Sequence, residues 1–379
     1  MRFSSLFKPI KIGSMTVRNR FVVPPMGTNY ANDDGTISQR SIDYYAERAK
    51  GGFGLITIEV TAVDPKGKAI PNQPGLWSDK HIASFQKLVD EIHKYGAKVS
   101  IQLHHAGRQT VSESIGGEQP VAPSSIPCPS CLETPKELTT EEVYEIIGKF
   151  VDAAERAWKA GADAVEIHGA HGYLISQFMS PYSNRRLDEF GGSFENRMRF
   201  PKLIIEGIRR RLGNDYPIIY RISGEEKTVG GRTIPETRAI AQYLEDLGIN
   251  AMHVASGSYA SMNWIFGGPD FPVGYMAQFA EEVKKSVNIP VITVGKIHDP
   301  YIADELVSSG RADMVSIGRQ SIADPEFPNK ILAGELDKIA PCISCHQGCT
   351  GKILFGEPAT CVVNPFVGKE AEMKFEKAP

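Results

Sequence analysis

Eight short apolar runs, separated by amphipathic stretches, constrain the fold of this chain more than any other feature. They are nearly continuous in apolar residues and rich in β-branched ones, which is typical of strands buried on both faces. Eight strand–helix units in 379 residues predict an α/β fold, a (β/α)8 TIM barrel, with a doubly wound open sheet as the alternative. The runs are FVVPPM, LITIEV, KVSIQLH, AVEIHGA, IIYRISG, MHVASG, VITVGK and MVSIGR.

Composition excludes several classes of function. The formal net charge is -3, so nothing in the charge balance favours a nucleic acid or an anionic membrane as a partner. No apolar run approaches the roughly 18 residues of a membrane span, and the N-terminal segment has no apolar stretch of signal-peptide length. We therefore expect a soluble, cytoplasmic protein whose thiols stay reduced. These observations also allow an oligomer.

Polar residues cluster where the predicted strands end, which is where a barrel of this kind carries its active site. Glycine followed by a cation closes the last two runs, at Gly295 with Lys296 and at Gly318 with Arg319. That pattern is typical of a phosphate site in such barrels. The other candidate residues at the rim are Gln102, His104, His105, Arg108, His168, His171, Tyr173, Arg221 and His253.

Four of the six cysteines lie close together near the end of the chain. Four thiolates can hold zinc, an iron–sulfur cluster or two disulfides, and a reducing compartment disfavours disulfides. Zinc ribbons usually pair one C-x2-C with another, whereas three nearby cysteines and one distant cysteine suit a cubane. The spacing is C-x2-C-x3-C-x11-C over Cys342, Cys345, Cys349 and Cys361.

A second C-x-x-C, Cys128 and Cys131, lies in a long segment rich in Gly, Pro and Ser. That composition predicts an irregular, exposed loop. A redox dithiol is one interpretation. An incidental pair of loop thiols is favoured, because no thioredoxin-like strand–helix context surrounds the motif.

Several longer motifs, covering essentially the whole chain, resemble the old yellow enzymes. The resemblance is closest to their iron–sulfur branch, which includes 2,4-dienoyl-CoA reductase, 2-enoate reductase, trimethylamine dehydrogenase and the bile-acid NADH:flavin oxidoreductases. It implies a (β/α)8 barrel with FMN over its mouth. The motifs are RFVVPPMGTN, IQLHHAGR, HGAHGYLISQFMSPYSNRRLDEFGGSFENRMRF, VGKI, SIGRQSIADPEFPNK and the final cysteines.

The resemblance also implies roles for individual residues around the flavin. Gln102 would bond the pyrimidine end of the ring, and Arg221 would lie near N1 and O2, where a fixed cation favours the reduced flavin. The backbone along one edge of the ring would be Pro25, Met26 and Gly27. Many relatives carry Thr, Cys or His where this chain has Gly27, so their redox potential does not carry over. The phosphate would be held by Gly295, Lys296, Gly318 and Arg319.

For catalysis, the resemblance implies that His168 and His171 bind the carbonyl oxygen of the substrate and that Tyr173 donates a proton to carbon. Rim histidines satisfied by backbone groups are the structural alternative. A metal site at the two histidines is a weaker one, since no third ligand stands at a suitable spacing. His253 is interpreted as a packed or supporting histidine rather than a proton donor.

The final cysteines would ligate a [4Fe–4S] cluster. We expect an FMN-binding barrel over residues 1–335 and a C-terminal cluster-binding segment over 336–379, in which 368–379 form a linker or frayed tail. Longer relatives continue into a domain that binds FAD and NAD(P)H, and no G-x-G-x-x-G follows a strand here. Electrons would therefore come from NAD(P)H directly, or through FAD on a further domain or partner.

The resulting hypothesis is an oxidoreductase dependent on FMN and a [4Fe–4S] cluster. It would reduce the C=C bond of an α,β-unsaturated carbonyl compound, such as an enoate, enone, enoyl thioester, steroid or bile acid. One alternative is an amine dehydrogenase of the trimethylamine dehydrogenase type, with Tyr259, Trp264 and Phe266 as an aromatic bowl. The other is an electron-transfer subunit, which an intact set of catalytic residues disfavours.

Overall fold

A computed structural model describes residues 2–373 of the chain. Its strands, in chain order, are β1 (Ile10–Ile12), β2 (Met15–Val17), β3 (Phe21–Val23), β4 (Leu55–Ala62), β5 (Lys98–His104), β6 (Val121–Ala122), β7 (Lys136–Glu137), β8 (Ala164–Gly169), β9 (Ile218–Ser223), β10 (Ala251–Ala255), β11 (Val291–Thr293) and β12 (Met314–Ser316). Its α-helices are α1 (Gln39–Lys50), α2 (Ile82–His93), α3 (Thr140–Lys159), α4 (Leu174–Met179), α5 (Phe194–Leu212), α6 (Ile234–Asp246), α7 (Met262–Phe266), α8 (Ala277–Lys284), α9 (Pro300–Ser308), α10 (Arg319–Ala323), α11 (Phe327–Ala333) and α12 (Lys352–Leu354).

Eight parallel strands form a closed barrel, in the cyclic order β3, β4, β5, β8, β9, β10, β11, β12. Each of them coincides with one of the eight apolar runs, so the predicted barrel is confirmed and the open-sheet alternative is wrong. The barrel closes where Val315 of β12 pairs with Phe21 of β3. Since all eight strands are parallel, their carboxyl ends meet at one mouth.

The amino-terminal hairpin closes the opposite end of the barrel. Strands β1 and β2 pair antiparallel, and their apolar side chains join a cluster contributed by the barrel strands. This plug was not predicted, because two three-residue strands carry too short an apolar pattern to identify. The cluster contains Ile12, Met15, Val17, Val22, Leu55, Ala164, Ile219, Ala251, Ile292 and Met314.

The long loop between β5 and α3 is more ordered than its composition predicts. Arg186, from the motif after β8, donates to the carbonyl oxygens of Pro123 (3.2 Å) and Leu138 (2.5 Å). These bonds lie beside the short parallel pair β6–β7, and Cys128 is buried. The expectation of a wholly irregular, exposed loop is therefore wrong, because a distant arginine supplies the hydrogen bonds that the loop lacks.

The described part of the expected tail, residues 368–373, is not frayed. Glu370 forms an ion pair with Arg48, 3.4 Å away, and both side chains are nearly inaccessible to solvent. A charged segment without apolar periodicity gave no signal for packing, yet it supplies the counter-charge of a buried guanidinium. The remainder of that prediction, residues 374–379, lies outside the described residues.

Within residues 2–373, no helix is long and apolar enough to cross a membrane.

At Gly51, the end of α1 packs closely against the loop before α11. A Cβ at this position would lie 1.8 Å from the carbonyl oxygen of Pro325. We expect Gly51→Ala to lower the free energy of unfolding by about 1–3 kcal/mol, because backbone must move. In the matched control, Gly148→Ala inside α3, the new Cβ meets nothing within 4 Å, and stability should rise by about 0.5–1 kcal/mol. Thermal and denaturant unfolding measure both, and equal stability of the two variants would contradict this packing.

Candidate active site

A cavity of about 1060 Å³ opens at the mouth of the barrel. Its wall is built from loops that follow several different strands, as is usual for this fold. The structure thus brings together nearly all of the residues predicted for the site. Those that line the cavity are Pro25, Met26, Gly27, His168, His171, Tyr173, Arg221, Gly295, Lys296, Gly318 and Arg319.

A layer of polar side chains lies inside the barrel, between the apolar plug and the cavity. Each member follows a residue of the apolar cluster by two positions, so it faces the same side of its strand. Several of their polar atoms are buried and have no hydrogen-bond partner among the described residues. Such atoms are costly unless something else satisfies them. The layer includes Thr57, Glu166, Arg221, His253 and Ser316.

Glu166 organises this layer. Its carboxylate accepts a hydrogen bond from Gln102 Nε2 at 2.6 Å and lies 2.8 Å from His253 Nδ1. Burial by itself would raise the pKa of Glu166, but His253, Arg221 and Gln102 lower it. A buried carboxylate is thus kept ionised by three neighbours on three strands, and His253 is packed inside the barrel, in agreement with its interpretation from the sequence.

Gln102 is the one predicted cofactor residue that does not line the cavity; it is fully buried beneath it. Because a carboxylate only accepts hydrogen bonds, the amide NH₂ must face Glu166. The amide oxygen, Oε1, is left without a partner among the described residues. Gln102 therefore presents a fixed acceptor rather than a donor.

Three aromatic side chains from β8 and the loop after it form one cluster on the cavity wall. The ring centroids of His168 and Tyr173 are 4.8 Å apart, and those of His168 and His171 are 5.3 Å apart. His171 has a backbone φ of 59°, an uncommon value for a side chain of this size. Its N–H donates to Ser223 Oγ at 2.9 Å, which holds this conformation.

Both histidines are neutral at physiological pH. Burial is the main cause that lowers the pKa of His168 and of His171 well below the usual value, and the nearby Arg221 lowers both further. The N–H of Ala170 donates to His168 Nδ1 at 3.3 Å, so the single ring proton of His168 lies on Nε2. His168 can therefore donate a hydrogen bond without carrying charge.

Tyr173 contacts two further residues, and no sequence motif links either of them to it. The hydroxyl of Tyr259 lies 2.9 Å from that of Tyr173, and the ring of His104 packs edge-on against Tyr173 with centroids 4.4 Å apart. Burial raises the pKa of Tyr173 to about 12, but its bond with Tyr259 lowers it, whereas the pKa of Tyr259 is raised well above normal. The two hydroxyls therefore form one buried, hydrogen-bonded pair.

The two Gly–cation pairs lie together on the other side of the cavity. Lys296 Nζ donates to the carbonyl oxygens of Pro269 (2.8 Å) and Phe271 (2.5 Å). Arg319 Nη1 lies 2.6 Å from His346 Nε2. Both cations line the cavity and are already hydrogen-bonded to protein groups. A phosphate bound here would therefore either add to these hydrogen bonds or replace them.

Next to Gly27, a buried acid holds the backbone. Glu59 accepts from both the N–H and the hydroxyl of Thr28, each at 2.6 Å. Burial raises its pKa to about 7 in spite of these bonds. A Cβ on Gly27 would lie 3.2 Å from Ile70, so the missing side chain leaves no empty space on this wall.

The four C-terminal cysteines line one small pocket beside the main cavity. None of them forms a disulfide. Gln320 fixes the start of the segment by accepting from the N–H of Cys342 at 2.8 Å, and the N–H of Thr360 donates to the oxygen of Gly348 at 2.6 Å, which brings the fourth cysteine close. Within the described residues, no three His, Cys, Asp or Glu side chains converge as ligands of a single ion.

Residues 5–337 match the NADH:flavin oxidoreductase / NADH oxidase family. The chain belongs to this family of oxidoreductases. That assignment confirms the resemblance to the old yellow enzymes and implies FMN and a nicotinamide nucleotide. The site fits FMN: its cavity lies over unpartnered Gln102 Oε1 and Arg221 Nε, an acceptor and a cation of the kind that a polar ring requires.

Among curated relatives, an NADH oxidase of Thermoanaerobacter brockii is 51% identical over 97% of this chain and 57% of its own length. A cinnamate reductase of Clostridium sporogenes is 39% identical over 100% of this chain and 60% of its own. The chain thus spans little more than half the length of these relatives.

Solved structures show the same relationship. A 2-naphthoyl-CoA reductase in complex with 2-naphthoyl-CoA superposes with a TM-score of 0.94 at 32% identity, over 98% of this chain and 58% of that one. A histamine dehydrogenase from Rhizobium superposes with a TM-score of 0.88 at 28% identity, over 98% and 53% of the two chains.

Glu166→Gln tests whether the carboxylate orients Gln102 for the cofactor. A neutral amide at this position no longer fixes which end of Gln102 faces the cavity, so we expect FMN affinity to fall about tenfold, which is about 1.4 kcal/mol. Fluorescence titration of deflavinated protein with FMN measures this. The matched control is Glu226→Gln, which neutralises another buried carboxylate, paired with Arg232 at 3.1 Å. It should retain FMN affinity, and an equal loss in both variants would contradict the assignment.

Proposed function

We propose that this chain reduces the C=C bond of an α,β-unsaturated carbonyl compound, with FMN bound in the cavity and electrons derived from NAD(P)H. The observation that carries the proposal is the cluster of two neutral histidines and a tyrosine hydroxyl on one wall of that cavity. Relatives named cinnamate reductase and 2-naphthoyl-CoA reductase act on compounds of this class. Enoates and enoyl thioesters are therefore the first substrates to test.

FMN, when bound, supplies hydride transfer between the nicotinamide and the substrate. The residues proposed to hold it share no element but surround one cavity. Gln102 offers an acceptor from below, and Arg221 a guanidinium that stays protonated at neutral pH. The backbone at one edge and the phosphate site complete the set: Pro25, Met26, Gly27, Gly295, Lys296, Gly318 and Arg319.

His168 and His171 are proposed to bind the carbonyl oxygen of the substrate. Negative charge develops on this oxygen when the double bond is reduced, and fixed donors aimed at it stabilise the transition state. Because burial keeps both rings neutral, they bind the uncharged carbonyl without the desolvation cost of an imidazolium. The backbone bond to Ser223 holds His171 in place.

Tyr173 is proposed to deliver the proton that completes the reaction at carbon. The hydroxyl of Tyr259 lies 2.9 Å from the same oxygen. When Tyr259 is the donor of that hydrogen bond, it stabilises the phenolate left after proton transfer and is placed to return a proton.

Tyr173→Phe should slow the reduction of the alkene by about 10²–10⁴-fold, since one general acid is lost. Reduction of the flavin by NAD(P)H should remain nearly intact, because that half-reaction requires no proton from this phenol. Stopped-flow measurement of the two half-reactions separates them. Tyr259→Phe is the companion variant, for which we expect a smaller loss confined to the alkene half-reaction. Equal slowing of both half-reactions would count against the assignment.

An amine dehydrogenase activity is less well supported, although histamine dehydrogenase shares the fold. An aromatic bowl would need Trp264 to face a cationic substrate. Instead the indole packs away from the cavity lining, with Lys227 Nζ 4.4 Å from its ring centroid. That cation already occupies the face that a substrate ammonium would need.

We further propose that Cys342, Cys345, Cys349 and Cys361 hold a [4Fe–4S] cluster. All four thiols are free and line one pocket. They do not converge as ligands of one ion, which disfavours zinc. In a cubane each thiolate binds a different iron atom, so convergence on one point is not required. The donor set therefore fits the cluster, and the barrel and C-terminal segment retain their proposed boundary at residue 335.

The surroundings of these cysteines suggest where electrons enter. Cys342 and Cys349 also line the main cavity, so the cysteine segment forms part of its wall. Large apolar side chains around the cysteines are exposed, among them Ile343, Val362 and Phe355, which is 85% exposed and also lines the main cavity. An exposed apolar patch is typical of an interface, and a further domain or partner that binds FAD and NAD(P)H fits this place.

Cys349→Ala tests the cluster as an electron port. We expect loss of bound iron and sulfide and a selective loss of turnover driven by the physiological donor, while dithionite-driven reduction of the substrate persists. Cys131→Ala, outside the motif, should keep the iron and is the control. Unfolding temperatures on the same samples identify any purely structural effect. Full donor-driven turnover without iron would leave the cysteines a structural role only.

A further inference from the structure

The C-x-x-C pair of the long loop has no part in the proposed function, yet its geometry is specific. The N–H of Leu132 donates to the oxygen of Cys128 at 2.9 Å, and Leu132 has a φ of 65°. This tight turn places the side chains of Cys128 and Cys131 together. Both thiols are free, and they lie close enough for each to shift the pKa of the other.

The surroundings of Cys128 stabilise a thiolate. Cys131, the backbone of Ser130 and Cys131, and the guanidinium of Arg108 all act to lower the pKa of this thiol. Cys131 is the main cause that lowers the pKa of Cys128, to about 6. Low-pKa thiolates next to a second cysteine are the reactive kind. In the same pair the pKa of Cys131 is raised, chiefly by Cys128, so a proton must pass from Cys131 to Cys128 before Cys131 reacts as a thiolate.

The turn forms part of the lip of the active-site cavity. Ser130 and Cys131 line the cavity, and Ser130 Oγ donates to the backbone oxygen of Tyr259 at 2.9 Å. Tyr259 in turn bonds Tyr173 through its hydroxyl. Arg108 holds the other end of the turn by donating to the oxygen of Ile126 at 2.9 Å. A change in the geometry of this turn therefore reaches Tyr259, and through it Tyr173, by way of the hydrogen bond from Ser130.

We propose that Cys128 and Cys131 are a dithiol–disulfide site that reacts with low-molecular-weight disulfides, and that its oxidation slows the substrate half-reaction. Cys131, the more exposed of the two, attacks one sulfur of the small disulfide and releases the first small thiol. Cys128 then attacks the mixed disulfide and releases the second. Two protein thiols are oxidised to one disulfide while one small disulfide is reduced to two thiols, with both protons retained.

Oxidation joins the two sulfurs covalently. A disulfide fixes the Cβ–Cβ separation at about 3.8 Å, so the bond sets the geometry of the turn and the position of Ser130 relative to Tyr259. Formation of the disulfide depends only on the two thiols. The effect on rate rests on the proposed function, since it acts through Tyr259 and Tyr173.

The first experiment measures the bond itself. The purified holoprotein is incubated anaerobically with oxidised glutathione, alkylated and mapped by peptide mass spectrometry. We expect the peptide with Cys128 and Cys131 to lose two hydrogen atoms and resist alkylation until it is reduced, and Cys128→Ser to stop at a mixed disulfide on Cys131. Cys342 and Cys345, with the same spacing, are the internal control. If Cys128 and Cys131 stay fully alkylated, or react no faster than that pair, the proposal is overturned.

The second experiment measures the two half-reactions before and after oxidation. We expect alkene reduction to slow several-fold in the oxidised wild type, flavin reduction to be unaffected, and dithiothreitol to restore the rate. The Cys131→Ser variant, which lacks the attacking thiol, should show no reversible change when it is compared with its own untreated sample. A disulfide without any change in rate would refute the coupling to the tyrosines. Absence of alkene reduction in the fully reduced protein would instead refute the proposed function and leave the mass result standing.

Discussion

The pairing of β12 with β3, where Val315 meets Phe21, is the contact on which the site depends. It joins the first and last strands of the barrel and closes eight parallel strands into a ring. The residues proposed for the flavin edge lie in the loop after β3, the two histidines lie at the end of β8 and just after it, and the two cations follow β11 and β12. Only closure brings these distant segments to one mouth.

Under that mouth, the ionised Glu166 carboxylate connects three strands. Gln102 belongs to β5 and His253 to β10, and both bond to the same side chain of β8. Removing one partner from such a buried charge is costly, so the three side chains constrain one another. The floor of the cavity is therefore rigid, and its polar atoms point in directions set by the protein before any ligand arrives.

The strands were predictable because β-branched runs signal burial locally, and even Val291–Thr293 and Met314–Ser316, only three residues each, lay inside recognised runs. The histidines and Tyr173 were found because they follow one strand. Tyr259 was missed as the partner of Tyr173 because 86 positions separate them. Glu166 lies inside a recognised strand, but nothing local shows what it touches. Contacts across the barrel depend on closure and register, which residue patterns do not reveal.

The hairpin of β1 and β2 has a kinetic consequence. It seals the amino-terminal end of the barrel with Ile12, Met15 and Val17, while the cavity opens at the carboxyl ends of the strands. If NAD(P)H and the proposed carbonyl substrate both react at the FMN face that this cavity exposes, they enter by the same opening and must bind in turn. Each reactant would then inhibit binding of the other at high concentration. The rate of turnover would depend on the ratio of the two concentrations rather than on either one alone.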